Sequence, residues 1–374
     1  MRIFRFVLSL LLFACFLCVD AVAYDMPSVS AKYAVIIEAN SGKVISGKNE
    51  NLRTSMASTT KIMTALLLCE NCNLDDTAVV TKEMVTVEGS SMGLQAGDTV
   101  HYRDLLYGMM LASGNDAANS TAILIGGTLS NFAKLMNQKA EQIGMKNTNF
   151  VTPSGLDDEN HYSTAYDMAL LAREALKNED FAKAVSSKSA TLEYGNPPYR
   201  RTLTNHNKML SYHYNCNGVK TGFTKKSGRC LVTSAERYGA KIVAVTLNAP
   251  NDWQDHKTML DFGLNIPIEC ELPKPKLEKV NVLGGFQSVV TVYTDNHKLK
   301  LLDGDIDRVT YKIKTTPSVF APVSKDEVVG KVDYYLDNVL IYTCDIKTKN
   351  SVNANLNQID KGLYYWLISL VGTK

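Results

Sequence analysis

The sequence predicts a mixed α/β domain, then a small all-β domain of sandwich type, then an amphipathic C-terminal helix. Strand patterns stand at both ends of residues 30–265 with helical patterns between them. A proline-spaced polar run breaks the chain at 269–276, and short strands follow it. The chain has 374 residues, 45% hydrophobic and 21% charged, enough for two or three domains with large cores. A formal net charge of +2 without a lysine- or arginine-rich block argues against nucleic acid as a partner.

The first element is an export signal over residues 1–23. Arg2 and Arg5 precede an apolar run from Phe6 to Val19, and Asp20-Ala21-Val22-Ala23 supplies a small-x-small ending, with cleavage expected after Ala23. The run is short of the roughly 20 residues a membrane span needs; an uncleaved anchor is the alternative. Of eight cysteines, Cys15 and Cys18 leave with the signal. Cys69-Glu70-Asn71-Cys72 lacks two further ligands at zinc spacing, so a local disulfide is expected there, and Cys216 and Cys230 are a second candidate pair.

The α/β domain is expected over 24–268. Tyr33–Glu38 and Lys43–Ser46 read as strands around the turn Ala39-Asn40-Ser41-Gly42. Residues 58–69 read as a helix apolar nearly all round, which places it inside the domain. Helices follow at 103–111, 115–125, 130–143 and 164–177, then strands at Gly218–Thr224, Arg229–Ala235 and Lys241–Leu247, then a short helix at 253–262. The linker is set at 269–276 and the β-rich domain at 277–355. In the tail, 356–374, Leu356, Ile359, Leu363, Trp366, Leu367 and Leu370 repeat at helical spacing. Tyr364, Tyr365 and Trp366 suit a helix lying at a membrane surface. A helix docked on the β-domain is the alternative.

Chemistry concentrates in three short motifs. Ser58-Thr59-Thr60-Lys61 puts a hydroxyl and an amine on one helix face at i and i+3. A lysine can activate a serine if its pKa falls toward neutrality, which takes burial or a second cation. Ser113-Gly114-Asn115 lies in a turn between two helices. Lys220-Thr221-Gly222 lies on a strand, where an amine and a hydroxyl suit a carboxylate and a glycine opens room for a peptide. Tyr194-Gly195-Asn196 and Ser351-Val352-Asn353 fit the middle pattern loosely but lack the helix-turn setting. A serine–histidine triad is set aside, and no metal motif is present, so neither metal nor cofactor is expected.

The ordered set S-x-x-K, S-G-N and K-T-G resembles the penicillin-recognising serine enzymes. Within them it is most similar to D-alanyl-D-alanine carboxypeptidases, the low-molecular-mass penicillin-binding proteins. Ala57–Thr64, Leu111–Ala117, Gly155–Asp158, His161–Asp167 and Gly218–Thr224 extend the resemblance across about residues 30–265. It implies a β-lactamase/transpeptidase-like catalytic domain with an antiparallel sheet. Members often carry an arginine just before the last catalytic-domain helix; this chain has Asn251-Asp252-Trp253 there, so no such role carries over.

The resemblance implies an acyl-enzyme on Ser58 with Lys61 as general base. Ser113 and Asn115 would relay a proton and position the peptide, and Lys220 and Thr221 would hold the terminal carboxylate. The backbone N–H groups of Ser58 and Phe223, beside Gly222, would form the oxyanion hole. It further implies a stem peptide ending in D-Ala-D-Ala as substrate, β-lactams as acylating ligands, and the outer face of the cytoplasmic membrane as location. A β-lactamase and a penicillin-binding sensor with little turnover remain alternatives; residues 145–190 show no persuasive E-x-x-x-N for the first.

Overall fold

The computed structural model describes residues 24–237, 240–302 and 305–355. The expected signal and the expected tail helix, 1–23 and 356–374, lie outside the described residues. Two compact units divide the chain near Leu264.

The first unit is built on a five-stranded antiparallel sheet. Strands β1 (Tyr33–Glu38) and β2 (Val44–Lys48) form a hairpin whose turn ends at Gly42, where φ is 76°. Glu38 caps that turn by accepting the N–H groups of Asn40 and Ser41. A second, smaller sheet holds β3 (Thr77–Val79), β4 (Thr99–His101), β5 (Ser189–Gly195) and β6 (Pro198–Thr204), in that order. Strands β7 (Cys216–Thr224), β8 (Gly228–Arg237) and β9 (Ala240–Leu247) complete the large sheet, ordered β2-β1-β9-β8-β7. The strand that opens the domain therefore pairs with β9, near its end, with Val35 opposite Val245.

Among the described residues, seven helices of eight residues or more fill the interval and close the unit: α1 (Lys61–Asn71), α2 (Tyr102–Met110), α3 (Asn115–Gly126), α4 (Leu129–Ile143), α5 (Ala165–Ala175), α6 (Glu179–Ser186) and α7 (Asp252–Gly263). Every residue of α1 from Lys61 to Leu68 is buried, as its all-round apolar pattern requires. Its side chains join α2, α3 and α5 in one core with Met109, Phe132 and Phe181. Thr128, Thr164 and Asn178 cap α4, α5 and α6 by accepting N–H groups of the first turn, and Gly144 ends α4 with φ 89°. Sequence reasoning found neither α6 nor the β5–β6 hairpin. Tyr194-Gly195-Asn196 belongs to that hairpin's turn, and the Tyr194 hydroxyl donates to the Met92 carbonyl at 2.5 Å, a structural use.

The second unit is all β. Strand β10 (Pro267–Glu271) begins before and runs into the expected linker, and pairs with β14 (Lys298–Leu302). A three-stranded sheet orders β12 (Val289–Val290), β11 (Val280–Leu283) and β16 (Ser318–Phe320). A four-stranded one orders β13 (Val292–Tyr293), β18 (Val339–Thr348), β17 (Val328–Leu336) and β15 (Val309–Thr315). Val280, Val282, Val332 and Ile346 form its core by period-two alternation.

The two expected disulfides are corrected: none of Cys69, Cys72, Cys216 and Cys230 is in a disulfide bridge. In the β7–β8 ladder Cys216 stands opposite Ala235 while Cys230 stands opposite Gly222. That offset is about 20 Å along the strand, far beyond the reach of a bridge. Cys69 sits in the last turns of α1, whereas Cys72 has left the helix with an extended backbone.

Candidate active site

Ser58 lies in the tight turn Ala57–Thr60 that leads directly into α1, and Lys61 is the first residue of that helix. The turn opens at Ala57 with φ 47°, an uncommon conformation for a residue with a Cβ. Lys61 is wholly buried. Its Nζ lies 3.0 Å from Ser58 Oγ, 2.6 Å from Asn115 Oδ1 and 2.7 Å from the Ser154 carbonyl oxygen.

Burial holds the Lys61 amine well below the usual lysine range, the Lys220 charge pushes the same way, and Asp116 opposes both. A neutral amine has two N–H bonds and one lone pair. With the two carbonyl oxygens taking the N–H bonds, the lone pair is left for the Ser58 hydroxyl, which suits a base poised to accept a proton.

Asn115 opens α3 and is engaged at both ends, since its Nδ2 also donates to the Glu88 carbonyl at 2.6 Å. Among the described residues its side chain thus joins Lys61 to the Glu88 backbone. Ser113 occupies the turn between α2 and α3 with φ 57° and is 6% exposed. Its hydroxyl makes no hydrogen bond among the described residues, so it is not joined to Lys61 or Lys220.

Lys220 is buried on β7, and its Nζ donates to the Thr221 carbonyl at 2.9 Å. Burial lowers its pKa to about 7. An edge strand of the large sheet, β7 meets the Ser58 turn so closely that a Cβ on Gly222 would stand 3.0 Å from the Ser58 nitrogen. Glycine at 222 is therefore the residue that lets the strand touch the Ser58 turn. Thr221 and Phe223 alternate to the other face, and Phe223 is 65% exposed.

Several supporting groups were not assigned from the sequence. The Asp116 carboxylate accepts the N–H groups of Met92, Gly93 and Leu94 and the Ser91 hydroxyl, so it fixes the loop beside Asn115. An acid directly after Asn115 at a helix start was the available signal. His161 is 4% exposed, bridges Thr60 Oγ1 at 2.8 Å and accepts the Val151 N–H at 2.9 Å, so it tethers the Ser154 loop to the Ser58 turn. No histidine among the described residues is hydrogen-bonded to Ser58.

A sequence model described as D-alanyl-D-alanine carboxypeptidase matches residues 20–251. The chain belongs to that family. A second, described as the C-terminal domain of penicillin-binding protein 5, matches residues 274–354. The D-alanyl-D-alanine carboxypeptidase DacF of Bacillus subtilis is 33% identical, over 86% of this chain and 86% of its own length. DacA of Haemophilus influenzae is 30% identical over 92% and 90%. Among solved structures, penicillin binding protein 5 from Haemophilus influenzae has a TM-score of 0.62 and 28% identity, covering 87% of this chain and 98% of its own. The expected fold class holds for the catalytic and β-rich parts. The protein is a serine-type D-Ala-D-Ala carboxypeptidase, a hydrolase among the penicillin-binding proteins.

Proposed function

We propose that the enzyme removes the terminal D-alanine from peptidoglycan stem pentapeptides through an acyl-enzyme on Ser58. The observation that carries this reading is the Lys61 amine, 3.0 Å from Ser58 Oγ with its other two contacts to carbonyl oxygens. Neutral Lys61 takes the hydroxyl proton as Ser58 Oγ bonds to the carbonyl carbon between the two D-alanines. The oxyanion forms between the N–H groups of Ser58 and Phe223, on either side of the contact that Gly222 permits. The proton then passes to the departing amine, with Ser113 as relay, and the C–N bond breaks to free D-alanine. Water, deprotonated by the same lysine, cleaves the ester and restores Ser58. Lys220 and Thr221 attend the peptide's terminal carboxylate at the edge of β7.

The same acylation step consumes β-lactams, whose ring amide opens on Ser58 to an ester. Export and a seat on the outer face of the cytoplasmic membrane complete the proposal, supported by the basic-then-apolar pattern of 1–23 and the apolar stripe of 356–374. No helix among the described residues is long and apolar enough to cross a membrane. In that place the enzyme serves cell-wall biogenesis by trimming stem peptides.

The test is D-alanine release from a diacyl-Lys-D-Ala-D-Ala peptide by the mature protein and its Ser58→Ala variant. Release that vanishes in the variant is the expected result. No release from a folded protein that penicillin still acylates would overturn the carboxypeptidase reading in favour of a sensor.

A further inference from the structure

The peptide's terminal carboxylate stands only three bonds from the carbon that Ser58 attacks, so its receptor lies beside β7. Lys220 is a poor sole receptor: its side chain is buried, and its amine donates to its own strand at the Thr221 carbonyl. A second cation is on hand. In the β7–β8 ladder Arg229 stands opposite Phe223, and Thr221 stands opposite Leu231. Side chains alternate along a strand and paired residues share a face. Thr221, Phe223, Arg229, Leu231 and Thr233 therefore share one face, and the Thr233–His256 hydrogen bond marks it as the face toward α7. Arg229 and Thr221 are diagonal neighbours on that face, about 7–8 Å apart by ladder geometry.

The guanidinium is prepared for an anion. Its Nε donates to Asp252 Oδ1 at 2.8 Å, with the Asp252 side chain only 4% exposed, and the group lies 5.4 Å from the Trp253 ring. Its two terminal nitrogens carry no hydrogen bond among the described residues, and the side chain is 42% exposed. That leaves the two terminal nitrogens to offer a pair of N–H donors, the fork that binds a carboxylate in bidentate fashion.

We propose that Arg229, held by Asp252 and Trp253 beside Thr221, is the charged receptor for the carboxylate of the leaving D-alanine and of β-lactams. The assignment rests on the carboxypeptidase reading and sets its specificity: substrates ending in a free acid are favoured over otherwise identical ones without it.

The test compares two acyl donors that give the same acyl-enzyme, diacyl-Lys-D-Ala-D-Ala and the p-nitrophenyl ester of diacyl-Lys-D-alanine, which has no terminal carboxylate. Arg229→Gln is measured beside the double variant Arg229→Gln/Asp252→Asn, which removes the cation without stranding a buried carboxylate. Both should lose about 10- to 100-fold in kcat/KM on the acid peptide, the worth of one hydrogen-bonded charge, while ester hydrolysis stays within about twofold. Equal losses on both donors, or no loss on the acid, would overturn the assignment. Acylation by benzylpenicillin, which also presents a carboxylate, gives an independent arm. A wild type that penicillin acylates but that frees no D-alanine sinks the carboxypeptidase reading, and the variants' penicillin rates still decide the role of Arg229.

Discussion

A Cβ placed on Gly155 would stand 1.9 Å from the carbonyl oxygen of Ala57, and Gly155 has φ 84°. The loop that offers the Ser154 carbonyl to Lys61 thus rests directly on the turn that carries Ser58. Gly155→Ala requires either that loop or that turn to move, and the left-handed backbone adds strain. Because Lys61 Nζ bonds to both Ser154 and Ser58, either movement spoils the base. The expected outcome is a fall of at least about tenfold in the rate of penicillin acylation, in line with the cost of misplacing a catalytic group, together with a lower melting temperature. Acylation at the wild-type rate would show that the contact is not needed.

The Lys61 amine should report on Lys220. Burial and the Lys220 charge both hold Lys61 low, so removing the second cation stabilises the Lys61 ammonium and raises its pKa. Only neutral Lys61 accepts the Ser58 proton, so the acidic limb of the acylation profile should move to higher pH in Lys220→Ala. Lys220 itself titrates at about 7, so its influence is strongest below that pH. Second-order rates of benzylpenicillin acylation across pH 5 to 9 give the limb. Its position is the readout, because the amplitude also falls if Lys220 touches ligand. A limb that stays in place would mean the two amines are not coupled.

What the sequence shows of this site follows from which groups carry the contacts. Ser58 and Lys61 are legible because helical spacing puts i and i+3 on one face, and the uniformly apolar stretch after them announces a buried helix. Lys220 and Gly222 are legible as alternating residues of a strand. The Ser154 and Glu88 partners are backbone carbonyls, whose side chains say nothing of their use. Arg229 acts through a cross-strand register and a helix start 23 residues later, neither of which periodicity supplies. The β5–β6 hairpin escaped because β6 buries no residue fully, so it offers little apolar alternation.

All six described thiols should be alkylated by iodoacetamide in denaturant without reductant, giving six adducts by mass spectrometry on the chain cleaved after Ala23. In the native state little should react. Burial pushes Cys69 up to about 12, Cys230 to about 12 and Cys216 to about 11, so few thiolates form near neutral pH. Four adducts in denaturant would reveal one disulfide, and a bridge mapped to Cys216 and Cys230 would contradict the register that separates them.

Acid should destabilise the catalytic unit through two buried histidines. His256 sits between Thr233 Oγ1 at 2.7 Å and Thr246 Oγ1 at 2.9 Å, and burial lowers its pKa to about 3. Burial lowers His161 to about 4. Both are neutral in the folded protein, whereas the unfolded chain takes up protons once pH drops below the ordinary 6.5. Their contribution is therefore whole above 6.5 and is lost as pH falls toward 4 for His161 and toward 3 for His256. Near pH 4 each loses on the order of 3 kcal/mol, a large part of a typical domain's stability. His256→Gln removes one titrating group while keeping a polar side chain between the threonines. Its melting temperature should be lower than wild type at pH 7, and its further drop between pH 7 and pH 4.5 should be smaller. An identical drop in both proteins would place the acid sensitivity elsewhere.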